Sequence, residues 1–327
     1  MRILQNQAVF TPPYSSHVKY LYDGIPIFVA VFIKKLPYKE LFEGIIQFVL
    51  SWRYDICVTV GHRQAIMFGV LNRIFWGKKS QVVKELYIDE TALSSKFITW
   101  IYRWAFRNLS LVITNSSGEI PYMMSWLRLP MDRFKFIPWP SNVPVQGNPR
   151  EENEKMLFDV FAAGRSFRDW ETFFSALKET NLRCCVVATK KDIRNKGIPN
   201  EVAIYYDISH NEYLELLGKA KIVVIPLKKT FRSIGQAAIL EAMAFGKAVI
   251  TAELTGTMDY VQTGINGLFY EPGDTKSLRD AILRLLKDND LQRKLGEAAK
   301  QSIENYFNKN SYSERMLETM LEVCLHG

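Results

Sequence analysis

Two arginines, one carboxylate and one helix start are the groups in this 327-residue chain best suited to a phosphorylated ligand. Arg165 and Arg168 follow Gly164 at the end of an apolar run, in FAAGRSFRDW. Two guanidinium groups after one strand, at a glycine turn, suit phosphate capture. The second group lies in the stretch 222–274, IVVIPLKKTFRSIGQAAILEAMAFGKAVITAELTGTMDYVQTGINGLFYEPGD. Glu241 sits there between Leu240 and Ala242, and an acid placed among apolar residues on a half-buried helix needs a partner. The run 222–227 predicts a buried parallel strand, a helix follows over about 233–245, Gly246 falls at a left-handed C-cap, and 248–251 predicts a second strand. A strand, a loop, a helix N-terminus and an inward carboxylate together make a phosphate-and-ribose site.

Such groups need a scaffold, and the rest of the chain supplies a repeating one. In the first half, strands are predicted at the opening MRIL and over 26–33, 55–60, 81–87, 111–115 and 133–138. Helices are predicted over 39–52, 63–76, 95–109 and 118–127. Residues 138–155, PWPSNVPVQGNPREENEK, carry four prolines and read as a linker. After it the alternation restarts, with strands over 157–162, 183–187 and 202–206, helices over 170–180 and 211–218, and a helical end over 275–325. Alternating strands and helices imply α/β architecture with mainly parallel sheets covered on both faces. The expected organisation is an N-terminal Rossmann-like domain over 1–145, a linker over 146–155, a second domain over 156–307 and a C-terminal helix over 308–327 that packs back toward the first domain. Two doubly wound domains facing across a cleft bring ligands to the carboxyl ends of the strands.

Charge is uneven. The net charge is +8, yet residues 1–150 hold 18 Lys or Arg against 9 Asp or Glu, while the remainder holds 24 against 25. A basic first half rich in Trp, Tyr and Phe suits an anionic membrane surface or another anionic partner. Within it, SKFITWIYRWAFRNL leaves two readings open: a surface helix carrying Lys96, Arg103 and Arg107 beside Trp100, Tyr102 and Trp104, or a core helix using Phe97, Ile101, Trp104 and Ala105. Basic residues form no dense run, so no nucleic-acid partner is expected. Four scattered cysteines point to a reduced, cytosolic setting. Neither a signal peptide nor a run of the ~20 apolar residues that spans a bilayer is visible. The expectation is a cytoplasmic protein that sits peripherally on the inner face of the membrane.

EAMAFGKAVI followed by DYVQTGINGLFYEPGD, together with FAAGRSFRDWETFFSAL, resembles the donor-binding half of family-4 glycosyltransferases of the GT-B fold. The likeness is strong over 158–307 and weaker but compatible over 55–143, where TNSSGE and FIPWPSNV stand in the expected order. It implies a retaining enzyme that uses a nucleotide-sugar, UDP- or GDP-linked, as co-substrate, with no other cofactor. By resemblance Arg165 and Arg168 grip the donor diphosphate, with Gly164 at the turn, and Glu241 accepts hydrogen bonds from the ribose hydroxyls. The segment Ser233, Ile234, Gly235 and Gln236 holds the sugar, and the base lies against Tyr206, Ile208 and Ser209.

The pattern also departs from the family. The first acid of its E-x7-E motif falls on Ser233, which can instead cap the helix; Asp259 stands for a usual Glu; and the first loop, QNQAVFTPPYSSHVKY, lacks glycine. The family's first-domain His has no clear match where the strand ends KELYID, so His17, His62 and Glu85 are the candidate contacts from that domain. Lys190 and Lys191 read as solvated, with phosphate or base contact as the alternative. Guanidinium groups and a helix dipole replace a divalent metal. The one Asp-x-Asp, Asp288-Asn289-Asp290, reads as a solvated helix boundary, so no metal site is expected. The implied function is transfer of a sugar to a glycan acceptor, lipid-linked or of the cell envelope. A non-catalytic sugar-nucleotide-binding protein is the alternative, and a DNA-modifying transferase a more distant one.

Overall fold

Runs such as Ile56–Val60 (ICVTV) and Ala220–Ile225 (AKIVVI) are buried along nearly their whole length. A strand of that kind needs helices on both faces of its sheet, because neither face can be left to water. The computed structural model, which describes residues 1–5, 18–20, 37–75, 77, 79–88, 94–145, 156–194 and 197–326, meets that need twice. The chain divides into two compact units, one made of Met1–Pro138 with Lys309–Gly327 and the other of Trp139–Asn308.

In the first unit the strands are β1 (Ile3–Gln5), β2 (Val18–Tyr20), β3 (Ile56–Val60), β4 (Ser80–Lys84), β5 (Leu111–Thr114) and β6 (Phe134–Phe136). They form one parallel sheet in the order β2-β1-β3-β4-β5-β6. The helices are α1 (Lys39–Leu50), α2 (His62–Ile74), α3 (Lys96–Ala105) and α4 (Ile120–Leu127). On one face, Ile3, Ile56, Val58, Val82 and Ile113 pack with Tyr312, Met316 and Met320 from the C-terminal helix Lys309–His326. That helix therefore belongs to the first unit although 170 residues of the second lie before it in the chain. The other face packs Phe48, Cys57 and Phe68 in one cluster and Val83, Tyr102, Phe106 and Val112 in another.

The second unit holds β7 (Phe158–Ala163), α5 (Trp170–Leu177), β8 (Cys184–Val187), α6 (Lys190–Ile193), β9 (Val202–Tyr205), α7 (His210–Gly218), β10 (Ala220–Ile225), α8 (Gln236–Ala244), β11 (Ala248–Ala252) and β12 (Leu268–Tyr270). Helices α9 (Thr275–Lys287) and α10 (Asn289–Asn305) complete it. Its sheet is parallel in the order β12-β11-β10-β7-β8-β9. The order reverses direction at β7, so the loop after β7 opens at the topological switch point where such sheets bind ligands. Trp170, Phe173 and Phe174 anchor α5 in the core, with the Trp170 and Phe174 rings stacked at 5.9 Å.

Several boundaries differ from the sequence-based expectation, each for a local reason. The helix expected from 233 begins at Gln236, because Gly235 takes φ 88° and serves as the N-cap. Ser233 is therefore not the cap. The strand expected over 81–87 ends at Lys84, where Glu85 turns to φ 57°. Lys190 and Lys191 open a one-turn helix whose cap, Thr189, accepts from the Asp192 N–H. The helix expected over 95–109 is Lys96–Ala105, capped by Ser95. Its buried face is Thr99, Tyr102 and Ala105, whereas Phe97 and Trp100 are 69% and 59% exposed, so the core reading built on Phe97 does not hold. Strand β2 was not expected. The expected strand over 26–33, the loop after MRIL with His17, and the linker over 146–155 lie outside the described residues. Among the described residues no helix is long and apolar enough to cross a membrane.

Candidate functional site

The loop after β7 is shaped by one glycine and one arginine. Gly164 has φ 141°, and a Cβ there would fall 2.2 Å from Arg168 Nε. Only glycine lets the Arg168 guanidinium lie across this turn. Arg168 donates from Nε to the Ala163 carbonyl (2.8 Å) and from Nη1 to the Ser166 carbonyl (3.0 Å). Burial lowers its pKa to about 10, so it keeps its charge at neutral pH. Arg168 is thus a fixed cation held by backbone, while Arg165 beside it is exposed.

Helix α8 follows β10 after the loop 226–235. Its N-cap has no side chain, so the first-turn N–H groups have no side-chain partner. A Cβ at Gly235 would come within 2.9 Å of Leu227 Cδ1, and φ is positive as well, so this tight entry requires glycine. One helical turn further along, Glu241 points to α7. Its side chain is 12% exposed, it shares the pocket wall with Tyr213, and Oε1 lies 3.8 Å from His210 Nε2. Burial raises the Glu241 pKa, and the neighbouring Tyr213 hydroxyl and His210 oppose the rise only in part. The acid has a partner, as an acid in apolar surroundings must, but not a cationic one in contact.

These groups line a single pocket of about 470 Å³ in the second unit. Gly164, Arg165 and Arg168 form one side, Gly235, Ala238 and Glu241 the second, and Ile208, Ser209, His210 and Tyr213 the third. Ser209 caps α7 with a full capping box to Glu212, which fixes the first turn of that helix. The volume matches a small-ligand site, and its charged groups are the arginines Arg165 and Arg168 and the carboxylates of Glu241 and Asp207, beside a helix start.

Not every expected residue joins them. Ser233 and Gln236 are buried beneath the pocket: the Gln236 amide donates to the Ser233 hydroxyl and, at 2.8 Å, to the Gly256 carbonyl. They tie the α8 entry to the 254–258 turn, where Gly256 itself leaves no room for a Cβ, 2.8 Å from Ser233 Cα. Ile234 is half-buried and, like these two, absent from the pocket wall. Tyr206 lies outside it with Lys190 Nζ 5.7 Å above its ring. In the first unit, His62 opens α2 after β3 and Glu85 follows β4, at the carboxyl ends of two paired strands. Glu85 takes up Lys84 Nζ at 2.9 Å. Asp288 caps α10 by accepting from the Leu291 N–H, and Asp290 is exposed beside Arg293. Tyr213 and His210 were missed by sequence reasoning; their only signal was a polar aromatic pair, three apart, just after Ser209.

Fold comparison places the chain first. It matches the structure of Anabaena Alr3699/HepE in complex with UDP at a TM-score of 0.74 and 17% identity, covering 98% of this chain and 100% of that one. It also matches sucrose-phosphate synthase from Thermosynechococcus elongatus at 0.72 and 19%, covering 99% and 89%. The fold is GT-B. Residues 173–302 match the family model Glycosyl transferases group 1, and the second unit is a domain of that family. Over 93 residues the chain is 36% identical to N-acetyl-alpha-D-glucosaminyl L-malate synthase of Bacillus anthracis, covering 28% of this chain and 24% of that one. Over 86 residues it is 34% identical to the capsular polysaccharide biosynthesis glycosyltransferase CapM of Staphylococcus aureus, covering 26% and 22%. The aligned segments span about a quarter of these curated relatives.

Proposed function

We propose that this chain is a retaining glycosyltransferase that moves a sugar from a UDP- or GDP-sugar to a glycan acceptor. The observation that carries the reading is the convergence of Arg165, Arg168, the α8 N-terminus and Glu241 on one pocket. In the reaction the bond between the anomeric carbon and the β-phosphate oxygen breaks, and a bond from an acceptor hydroxyl oxygen forms with the configuration kept. The electron pair leaves with the nucleoside diphosphate, whose β-phosphate oxygen takes up the proton that the acceptor hydroxyl gives up. Charge grows on the β-phosphate as the bond breaks, and fixed guanidinium groups with free helix N–H groups stabilise it there. That positive field supports a site that works without a divalent metal. Glu241 takes the ribose hydroxyls, and the backbone of Ile208 and Ser209 borders the base. Named relatives support an envelope acceptor: CapM in capsular polysaccharide biosynthesis, and an N-acetylgalactosaminyltransferase of Campylobacter jejuni named for a diphospho-undecaprenol substrate.

A lipid-linked acceptor agrees with the outer face of the first unit. Tyr38, Phe42, Ile45, Val49 and Trp52 are exposed at alternating spacings of four and three along α1 and its flanks. Arg63 lies 5.2 Å over the Tyr38 ring and Lys79 4.8 Å over the Trp52 ring. On α3, Phe97 and Trp100 stack outward. An apolar stripe ended by aromatic rings and cations suits the surface of an anionic bilayer.

The test is calorimetric titration with UDP and GDP, followed by release of nucleoside diphosphate from a panel of nucleotide-sugars. Binding of one nucleotide and turnover of its sugar is the expected result; no binding of any nucleotide rules the reading out. Binding without turnover on any acceptor favours a second reading, a non-catalytic sugar-nucleotide-binding protein. The observation behind it is Ser233, buried and away from the pocket where the family carries an acid. Sedimentation with vesicles of neutral and anionic lipid checks the membrane contact: binding to anionic vesicles, weakened in Trp52→Glu, is expected.

A further inference from the structure

Phe167, in the second unit, is held in a backbone conformation that its side chain disfavours, with φ 56°. A bulky residue at positive φ persists only where its surroundings impose it, and such residues gather at binding sites. Two loops impose it here, the one after β7 and the one over 226–235. Arg168 and Leu227 form an antiparallel bridge between them. The Asp169 N–H donates to the Pro226 carbonyl and the Lys228 N–H to the Phe167 carbonyl, both at 2.9 Å. On the Phe167 ring, 37% exposed, rests the Arg232 guanidinium at 5.2 Å. The Arg232 N–H donates to Thr230 Oγ1 at 3.1 Å and closes the turn that carries it.

Together the two loops carry five cations, Arg165, Arg168, Lys228, Lys229 and Arg232, against one acid, Asp169. That acid is engaged elsewhere: it accepts from the Thr172 N–H at 3.1 Å and from the Thr172 hydroxyl at 2.7 Å, at the start of α5. Arg165 and Arg168 line the pocket, whereas Lys228, Lys229 and Arg232 do not. Yet Ser166 beside Phe167, and Gly235 three residues after Arg232, both do. The further cations therefore stand on the pocket rim, with Lys228 and Lys229 exposed and Arg232 half-buried. Like charges on joined loops repel, and an anion relieves the repulsion. A guanidinium already seated on an aromatic face has less freedom to lose when that anion binds. We propose that Arg232, seated on Phe167, forms with Lys228 and Lys229 a second anion site, which takes a phosphate or diphosphate group carried by the acceptor. The donor is held inside the pocket, so an anion on the rim belongs to the other substrate. The site rests on the glycosyltransferase reading above and deepens it, because it narrows the acceptor to a phosphorylated one, either a lipid diphosphate or a sugar phosphate.

The experiment uses the full chain saturated with UDP or GDP, whichever the wild type binds, so that Arg165 and Arg168 are already occupied. Inorganic diphosphate is then titrated by calorimetry into wild type, Arg232→Ala and Phe167→Leu; the leucine stays apolar but offers no aromatic face. Wild type is expected to bind one diphosphate per chain, with affinity about ten-fold weaker in Arg232→Ala, as the loss of one charge-assisted contact requires. A smaller loss is expected in Phe167→Leu, where the cation loses its seat. Nucleotide affinity is measured on the same proteins. An equal loss of nucleotide affinity means that Arg232 belongs to the donor grip and overturns the proposal, as does diphosphate binding that either variant leaves unchanged. A wild type that binds nucleotide but no diphosphate beside it overturns this proposal alone. One that binds no nucleotide overturns the nucleotide reading, and this site with it. Farnesyl diphosphate and glucose 1-phosphate in place of the inorganic ion separate the two sources: tighter binding of the first assigns a lipid-borne phosphate, tighter binding of the second a soluble one.

Discussion

Asp159 and Glu241 stand at opposite edges of the second sheet, and their side chains are almost equally buried, 13% and 12% exposed. Their chemistry is opposite. Asp159 lies at the amino edge, near the start of β7, where Lys221 Nζ reaches it at 2.8 Å, Arg183 Nη2 at 3.3 Å and the Arg183 N–H at 3.0 Å. Burial works against its charge, but these donors outweigh burial and hold its pKa at about 2. Glu241, at the carboxyl edge, has a phenol and a distant imidazole, and burial wins. Unequal partners, together with deeper surroundings at Glu241, separate a structural acid from one kept short of partners. Hydrogen-bonding capacity left open at the carboxyl edge is what a ligand can use, and an open site of this kind is stabilised by the rest of the fold rather than by itself.

That contrast can be broken most directly at Glu241. Glu241→Gln should weaken nucleotide binding on the order of 100-fold, since two charge-assisted hydrogen bonds to a diol are replaced by weaker ones, and calorimetry reads the change. Arg165→Ala should lower diphosphate affinity on the order of ten-fold while leaving nucleoside affinity alone, because this exposed residue supports no packing. At the other edge, Asp159→Asn should cost about 1 kcal/mol in urea unfolding, because Arg183 and Lys221 are partly solvated, and should leave nucleotide affinity as it was.

A pH series sharpens the same contrast. The folded pKa of Asp159 lies below its ordinary 3.8, so its stabilisation is present above 3.8 and is lost as pH falls toward 2. Glu241 has the opposite sign: its folded pKa lies above 4.5, so its contribution is full below 4.5 and is lost as pH rises through the folded value. The ligand-free Glu241→Gln protein should therefore unfold at a slightly higher urea concentration than wild type at pH 7, and the advantage should vanish below pH 4.5. A Glu241→Gln protein less stable than wild type at pH 7 would remove the distinction between the two edges.

Much of the scaffold was legible beforehand. Buried apolar runs such as 222–227 and 248–251 carry a length and composition that only a covered parallel strand satisfies, and Gly246 does take φ 62° at the end of α8. The pocket's Gly164, Arg165, Arg168 and Glu241 were legible as residue types at the ends of those elements. Ser233 and Gln236 were not, because the partner that draws them inward is the Gly256 carbonyl, 20 residues away from Gln236. Helix periodicity carries no signal for the φ of Gly235, which moves the start of α8. Likewise the exposure of Phe97 depends on which face of α3 meets Trp126, where the Trp126 indole donates to Thr99. Spacing alone allows either face.

The amino-acid sequence by itself determined the alternation of strands and helices, the parallel sheets they must form, and which residue types follow the strands at the pocket. Periodicity, turn residues and burial of apolar runs are local properties, and they act within a few residues. Only the tertiary structure decided that Tyr213 would meet Glu241, that backbone carbonyls would hold Arg168, and that Asp159 but not Glu241 would find cations in contact. Desolvation and hydrogen bonding depend on what folding brings close in space, and for Glu241 that is a helix 28 residues earlier in the chain.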